Sequence, residues 1–176
     1  MAHAYSKLYS IPTTGVRFFT VYGPWGRPDM SPFLFADAML HKYPIKVFNN
    51  GNMLRDFTYI NDIVEGIIRI IDRIPTSNSE WNGEFPDPST SIVPYKIYNI
   101  GNSEPVKLMD FIKTIEEVIG YSAKKIFLPM QPGDVPVTFA DTTPLEQDFG
   151  FRPSTPLRDG LKSFAQWYAK YYGIAK

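Results

Sequence analysis

A run of β-branched and aromatic residues, Val16-Arg17-Phe18-Phe19-Thr20-Val21, leads straight into Tyr22-Gly23-Pro24-Trp25-Gly26-Arg27-Pro28. The first part has the composition of a buried strand over residues 16–21. The second cannot continue it, because proline has no ladder donor and glycine brings no side chain to pack. A strand ending in a loop of glycine, proline and arginine is how an α/β protein equips the carboxyl end of its sheet for a phosphorylated ligand. Arg55, in Leu54-Arg55-Asp56-Phe57, puts another guanidinium on a later strand.

Strand and helix patterns alternate along the rest of the chain, which predicts the α/β class with parallel strands where crossovers permit. Residues 1–9 have helical spacing, with Met1, Tyr5, Leu8 and Tyr9 on one side and no capping residue at the start. Residues 32–41 read as a helix with Pro32 in its first turn. Residues 45–48 and 54–60 read as strands of a hairpin joined by Asn49-Asn50-Gly51-Asn52, since Asn and Gly accept positive φ. Asn61 and Asp62, with Glu65, have the form of a capping box. The helix after them carries Ile63, Val64, Ile67, Ile68, Ile70, Ile71 and Ile74, which predicts burial around most of its circumference. Residues 76–94, polar and interrupted by Pro86, Pro88 and Pro94, form an irregular stretch, either a mobile flap or an ordered surface loop. Residues 96–100 and 125–128 read as strands and residues 157–172 as a terminal amphipathic helix. Leu108–Ile119, closed by Gly120, and Thr143–Phe149 read as helices.

Composition narrows the classes. Lys and Arg number 18 against 18 Asp and Glu, so no overall field recruits nucleic acid or an acidic membrane, and an anion site has to be local. Without cysteine there are no disulfides, zinc thiolates or thiol nucleophiles, which is compatible with a reducing cytoplasm. No apolar run reaches the length of a membrane span, and the first residues lack the apolar core of a signal peptide. A cytoplasmic setting is therefore expected. Aromatic residues at 15% and 16 prolines suit a shaped pocket, and equally a filled core with many turns.

Among residues that carry chemistry, Arg17, Arg27 and Arg55 are the candidate anion holders, because a guanidinium grips two oxygens at once. Arg55 also reads as one half of a surface pair with Asp56 or Asp62. Thr20 offers a hydroxyl at a strand's carboxyl end, or bonds its own backbone. Phe48, with Val47, offers a wall for a nucleobase, or plain core. Asp134, on the turn Gln131-Pro132-Gly133-Asp134, can accept from ribose hydroxyls or from its own turn. His3 and His41 lack ligand partners at useful spacing, so no metal site is expected. Tyr5 and Lys7, two apart on a helix, face different ways and cannot work as a pair.

Taken in order, Thr13 to Met30, Arg55-Asp56-Phe57-Thr58-Tyr59-Ile60-Asn61-Asp62-Ile63, Tyr98-Asn99-Ile100-Gly101-Asn102 and Gln131-Pro132-Gly133-Asp134-Val135-Pro136 strongly resemble the extended short-chain dehydrogenase/reductases. Within these NAD-dependent epimerases and dehydratases, Thr20 and Trp25-Gly26-Arg27-Pro28-Asp29-Met30 are similar to the UDP-glucuronate 4-epimerases. The resemblance covers this whole chain and about the C-terminal half of such an enzyme. It implies a single C-terminal substrate-binding domain over residues 1–176, with remnants of the Rossmann part near 1–23 and 95–101. It places Phe19 beside the nicotinamide and Thr20 on the sugar. Lys46, Val47 and Phe48 would line the uridine slot through backbone and ring. Arg55 would grip the diphosphate, Asp134 the ribose, and Arg27 a carboxylate or phosphate. Gln131 stands where galactose-type epimerases often have Arg, which removes one positive charge from the nucleotide clamp.

The resemblance further implies a UDP-sugar as partner, NAD as cofactor of the full-length enzyme, and a homodimer for that enzyme. The Tyr and Lys of the family's chemistry normally lie one short helical stretch before a segment like Met1-Ala2-His3-Ala4-Tyr5-Ser6. The chain alone is thus expected to bind no NAD and to contain no catalytic residue. Open alternatives are another sugar-nucleotide enzyme of the same family, such as a UDP-glucose 4-epimerase, a dehydratase or a decarboxylase, and a non-catalytic binding or interaction module.

Overall fold

The computed structural model describes residues 1–174, in which eight short strands pair two by two. Three pairs are parallel. Strand β1 (Thr13–Phe18) lies beside β6 (Tyr95–Ile100), β2 (Thr20–Tyr22) beside β5 (Phe57–Tyr59), and β3 (Ile45–Val47) beside β8 (Lys125–Phe127). The fourth pair, β4 (Leu54–Arg55) with β7 (Val106–Lys107), is antiparallel. Parallel strands need long crossovers, and the helices supply them. They are α1 (Ala2–Tyr9), α2 (Ser31–Leu40), α3 (Ile60–Ile71), α4 (Leu108–Ile119), α5 (Thr143–Phe149) and α6 (Leu157–Tyr171). The α/β class expected from the alternation holds. Among the described residues no helix is long and apolar enough to cross a membrane.

The main core lies between α2, α4 and α6 and the strands β3 and β5, where Met39, Ile45, Phe111, Ile112, Ile115, Leu161 and Phe164 are almost wholly buried. Phe57 stacks on Phe111 with ring centroids 4.1 Å apart. Each such side chain contributes roughly 1.5–3 kcal/mol by leaving water. Helix α6 approaches β2 closely because Gly160 has no side chain; a Cβ there would overlap the Tyr22 hydroxyl, which donates to Leu157 O at 3.4 Å. A smaller cluster of Ile63, Ile70, Tyr98, Ile100 and Leu145 joins α3, β6 and α5.

Four local expectations are corrected. The run expected to form one buried strand is two strands, and Val16, Arg17 and Phe18 are exposed. Its ladder with β6 ends where Phe18 faces Ile100, so the next free donor, Thr20 N, turns to Asp56 O at 3.1 Å, and Phe19 is the residue at which the chain changes partner. The hairpin between β3 and β4 does not form. Asn49 and Asn50 do take positive φ, at 49° and 50°, but Asn50 N donates to Leu128 O and Leu54 N to Pro136 O, so the donors a hairpin would need are already used.

The capping box also fails, because β5 runs into α3 with no residue between them. Asp62 then lies inside the first turn, where a negative charge is favoured, and its carboxylate accepts from Ser154 N, Thr155 N and Thr155 Oγ1. Glu65 pairs with Arg69 instead. Finally, α3 is buried on one face only. Ile63, Gly66 and Ile70 point inward, whereas Val64, Ile68 and Ile71 are exposed. Helix α1 is turned similarly: Ser6 is its buried residue, with Oγ donating to Pro94 O, while Tyr5, Leu8 and Tyr9 face outward.

Residues 76–94 form a hydrogen-bonded surface loop. Side chains of Asn78, Asn82 and Asp87 accept from nearby backbone N–H groups, Trp81 Nε1 donates to Asp87 O, and Ser91 is buried against His3.

Candidate functional site

The pairing of β4 with β7, followed directly by β5, sends neighbouring side chains of Arg55-Asp56 in opposite directions. Arg55 faces a cavity of about 750 Å³, within the size range of small-molecule sites. Its guanidinium, 16% exposed, donates to Asp134 Oδ1 at 2.8 Å and to Leu54 O at 3.1 Å. The carboxylate reaches it from the turn Gln131–Asp134, where Gly133 has a φ of +82° and Asp134 N donates to Gln131 O. Asp134 Oδ1 also accepts from Val135 N at 2.9 Å, so this residue both bonds its own turn and holds Arg55. The partner of Arg55 is neither Asp56 nor Asp62. It lies 79 residues away.

Lys46, Phe48 and Gln131 line the same cavity, with Met53, Leu108 and the α2 residues Leu34, Phe35 and Asp37. In β3 the alternation turns Lys46 outward and Ile45 and Val47 inward. Val47 is fully buried, its carbonyl accepts from Leu128 N at 2.9 Å, and it is not among the cavity's walls. Its side chain is thus committed to the core and its carbonyl to the segment after β8.

A second cavity, of about 400 Å³, is lined by Phe19, Tyr22, Trp25, Gly26, Arg27 and Ile60, with Met30 a wall of both. Arg27 forks onto Asp29, with Nε 3.0 Å from Oδ1 and Nη2 on Oδ2, in an exposed pair that raises the guanidinium's pKa and lowers that of the carboxyl. Thr20, half-buried at the start of β2, makes no side-chain hydrogen bond among the described residues and lines neither cavity. Arg17, on the exposed end of β1, lines neither cavity either. Among the described residues no group of His, Cys, Asp and Glu could hold a metal ion.

Asp56 is a structural support of the site that sequence reasoning missed. Its buried carboxylate accepts from Asn102 N at 2.8 Å and Thr58 Oγ1 at 3.3 Å on Oδ1, and from Ser103 N and Ala140 N, each at 3.0 Å, on Oδ2. Its own N–H donates to Thr138 Oγ1 at 3.1 Å. One carboxylate thus ties the end of β6 and the segment after Asp134 to the strand that carries Arg55. Gly101 permits the approach, since a Cβ there would overlap Ala140 and press on Phe19. The usable signal was Asp56 and Thr58 at strand spacing on one face.

Comparison with known proteins agrees with this architecture. Residues 1–108 match the NAD dependent epimerase/dehydratase family. The chain is 53% identical over 172 residues to Protein CapI of Staphylococcus aureus, covering 98% of this chain and 52% of that protein. It is 47% identical over 176 residues to a probable UDP-glucuronate 4-epimerase of Rhizobium meliloti (strain 1021), covering 98% of this chain and 51% of that protein. The crystal structure of UDP-glucuronic acid 4-epimerase from Bacillus cereus with UDP-glucuronic acid and NAD superposes with a TM-score of 0.81 at 32% identity, over 97% of this chain and 49% of that one. The chain spans about half the length of the curated relatives it matches. With residues 1–108 matched and the fold shared, the chain belongs to the NAD dependent epimerase/dehydratase family.

Proposed function

We propose that this chain is the nucleotide-sugar-holding part of an NAD-dependent 4-epimerase that interconverts UDP-glucuronate and UDP-galacturonate, and that residues 1–176 act as one substrate-binding unit. The observation that carries the reading is the convergence of Arg55, Asp134, Lys46, Phe48 and Gln131 on one cavity, joined through Met30 to a second that holds Phe19 and Arg27. Arg55 grips the diphosphate in place of Asp134, which turns to the ribose. Phe48 offers its ring to the uracil, with Lys46 beside it. Arg27 faces the sugar carboxylate; Thr20, outside both cavity linings, is assigned to the sugar by the resemblance alone.

NAD fits this chain's own residues poorly. The Phe19 ring is the one group assigned to face the nicotinamide, and the sequence contains no Gly-x-Gly-x-x-Gly turn. Tyr121 and Lys125 have the family's Tyr–Lys spacing, but Tyr121 follows the helix end at Gly120, and Lys125 Nζ is held by Glu116 at 2.6 Å. No step of hydride or proton transfer is therefore assigned here, and the chain alone is expected to leave UDP-glucuronate unchanged when incubated with NAD.

Calorimetric titration with UDP tests the site. Arg55→Ala removes a charge-assisted contact of about 1.5–3 kcal/mol, which raises Kd roughly 10- to 150-fold. An unchanged Kd would overturn the assignment of Arg55. Separately, turnover of UDP-glucuronate by the isolated chain would contradict the expectation of inactivity.

A further inference from the structure

Trp25 stands where its neighbours predict a different residue. Gly26 N donates to Gly23 O at 3.2 Å, which closes a four-residue turn with Pro24 second and Trp25 third. Trp25 has a φ of +63°. A turn with proline second and positive φ third ordinarily takes glycine or asparagine at the third position, because a Cβ is crowded there. A bulky aromatic in that backbone state persists only where its surroundings hold it.

The surroundings are on α6. The indole lies against Trp167, with ring centroids 5.4 Å apart, and edge-on to Tyr171 at 5.2 Å. Trp167 and Tyr171 are themselves stacked, and Phe164 continues the row into the core. Yet Trp25 remains 74% exposed, so the contact does little for burial and much for the geometry of its turn. Gly26 and Arg27 come next in the chain and, like Trp25, line the smaller cavity. Without a fixed turn before it, an arginine 73% exposed would sample many positions.

We propose that Trp25 is a positioning and specificity-determining residue, whose indole, seated on Trp167 and Tyr171, locks the Gly23–Gly26 turn so that Arg27 meets a carboxylate-bearing sugar. The inference rests on the reading of Arg27 above and extends it. Pairing with Asp29 steers the guanidinium from one side, and the aromatic seat fixes the backbone from the other.

The test titrates the chain with UDP, UDP-glucuronate and UDP-glucose. The parent chain prefers UDP-glucuronate to UDP-glucose by about 10-fold or more, the size of one charge-assisted contact. Trp25→Ala keeps the Cβ that is crowded at this positive φ and removes the ring that holds it there. It is expected to reduce that preference to near unity while UDP affinity stays within about twofold. Trp25→Phe, which retains an aromatic face for Trp167 and Tyr171, restores most of the preference. Tyr171→Ala, an exposed change on the seat itself, weakens it in part. A Trp25→Ala variant that keeps its preference refutes the inference, and so does one that loses UDP and UDP-glucuronate affinity equally. A parent chain that binds UDP without preferring the acidic sugar overturns the role of Arg27 and this inference with it. A parent chain that binds no UDP overturns the nucleotide site instead.

Discussion

Removing the Asp56 carboxylate should injure this protein more than its position on a short strand suggests. In Asp56→Ala, Ser103 N and Ala140 N lose their acceptor, while Asn102 N keeps Thr58 Oγ1 at 3.1 Å. Each buried donor left unpaired costs about 1–3 kcal/mol, so the two together, with a weakened third, cost about 3–5 kcal/mol. A domain's whole stability is about 5–15 kcal/mol, so this is a large share. With a urea slope of about 2 kcal/mol/M, the midpoint should fall by about 1.5–2.5 M. Asp56→Asn is the informative companion. Its oxygen can still serve Ser103 and Ala140 and its amide can donate to Thr58 Oγ1, but at the Oδ1 position that amide no longer accepts from Asn102 N. The loss should be about 1–2 kcal/mol. Urea unfolding followed by circular dichroism measures both. A midpoint shift below about 0.5 M in Asp56→Ala, or an Asn variant weaker than the Ala variant, would show that the carboxylate does not hold these segments together.

Further outcomes follow from the core and the tyrosines. Gly160→Ala places a methyl against the Tyr22 ring and hydroxyl, and should cost about 1–3 kcal/mol by overpacking, read from the same unfolding curves. Tyr22, Tyr98 and Tyr168 are buried, and burial first, then Asp62, Asp148 and Asp37 respectively, raise their hydroxyl pKa values above the usual 10. The folded form therefore keeps protons that the unfolded chain releases. Their stabilising contribution is whole below about pH 10 and declines above it, by up to about 1.4 kcal/mol per pH unit for each tyrosine. Urea midpoints measured from pH 8 to 11.5 should be level and then fall. Absorbance at 295 nm should show these tyrosines ionising only with unfolding, and early titration in the folded state would contradict their burial.

What the sequence revealed, and what it concealed, divides by the range of the interactions. Helix α4 was legible to the residue because its apolar spacing is helical and Gly120, with a φ of +79°, ends it. Helix α5 was legible for the same kind of reason, with Gly150 at its end. The left-handed tendency of Asn49 and Asn50 was also readable, but its use was not, because β3 and β4 take partners from residues 125–127 and 106–107 rather than each other. The isoleucines of α3 have the composition of a buried helix, whereas only Ile63 and Ile70 among them are nearly excluded from water. At the site, residue type singled out Phe48 and Arg55 and the resemblance added Lys46, and all three line the larger cavity. The Arg55–Asp134 pair and the Asp56 hub were beyond local reasoning, since each joins segments that meet only after the fold has formed.

The Arg55–Asp134 pair has a consequence for selectivity. In the free protein the guanidinium is already served by an internal anion at 2.8 Å that never diffuses away. Any incoming anion must outcompete a tethered rival of high effective concentration. If Arg55 and Asp134 act as proposed, a nucleoside diphosphate offers two phosphoryl groups to the guanidinium and, in the same event, ribose hydroxyls to the carboxylate it displaces. On the proposed reading, the pair would filter ligands by the number of groups they present together, favouring a molecule that satisfies both of its halves at once.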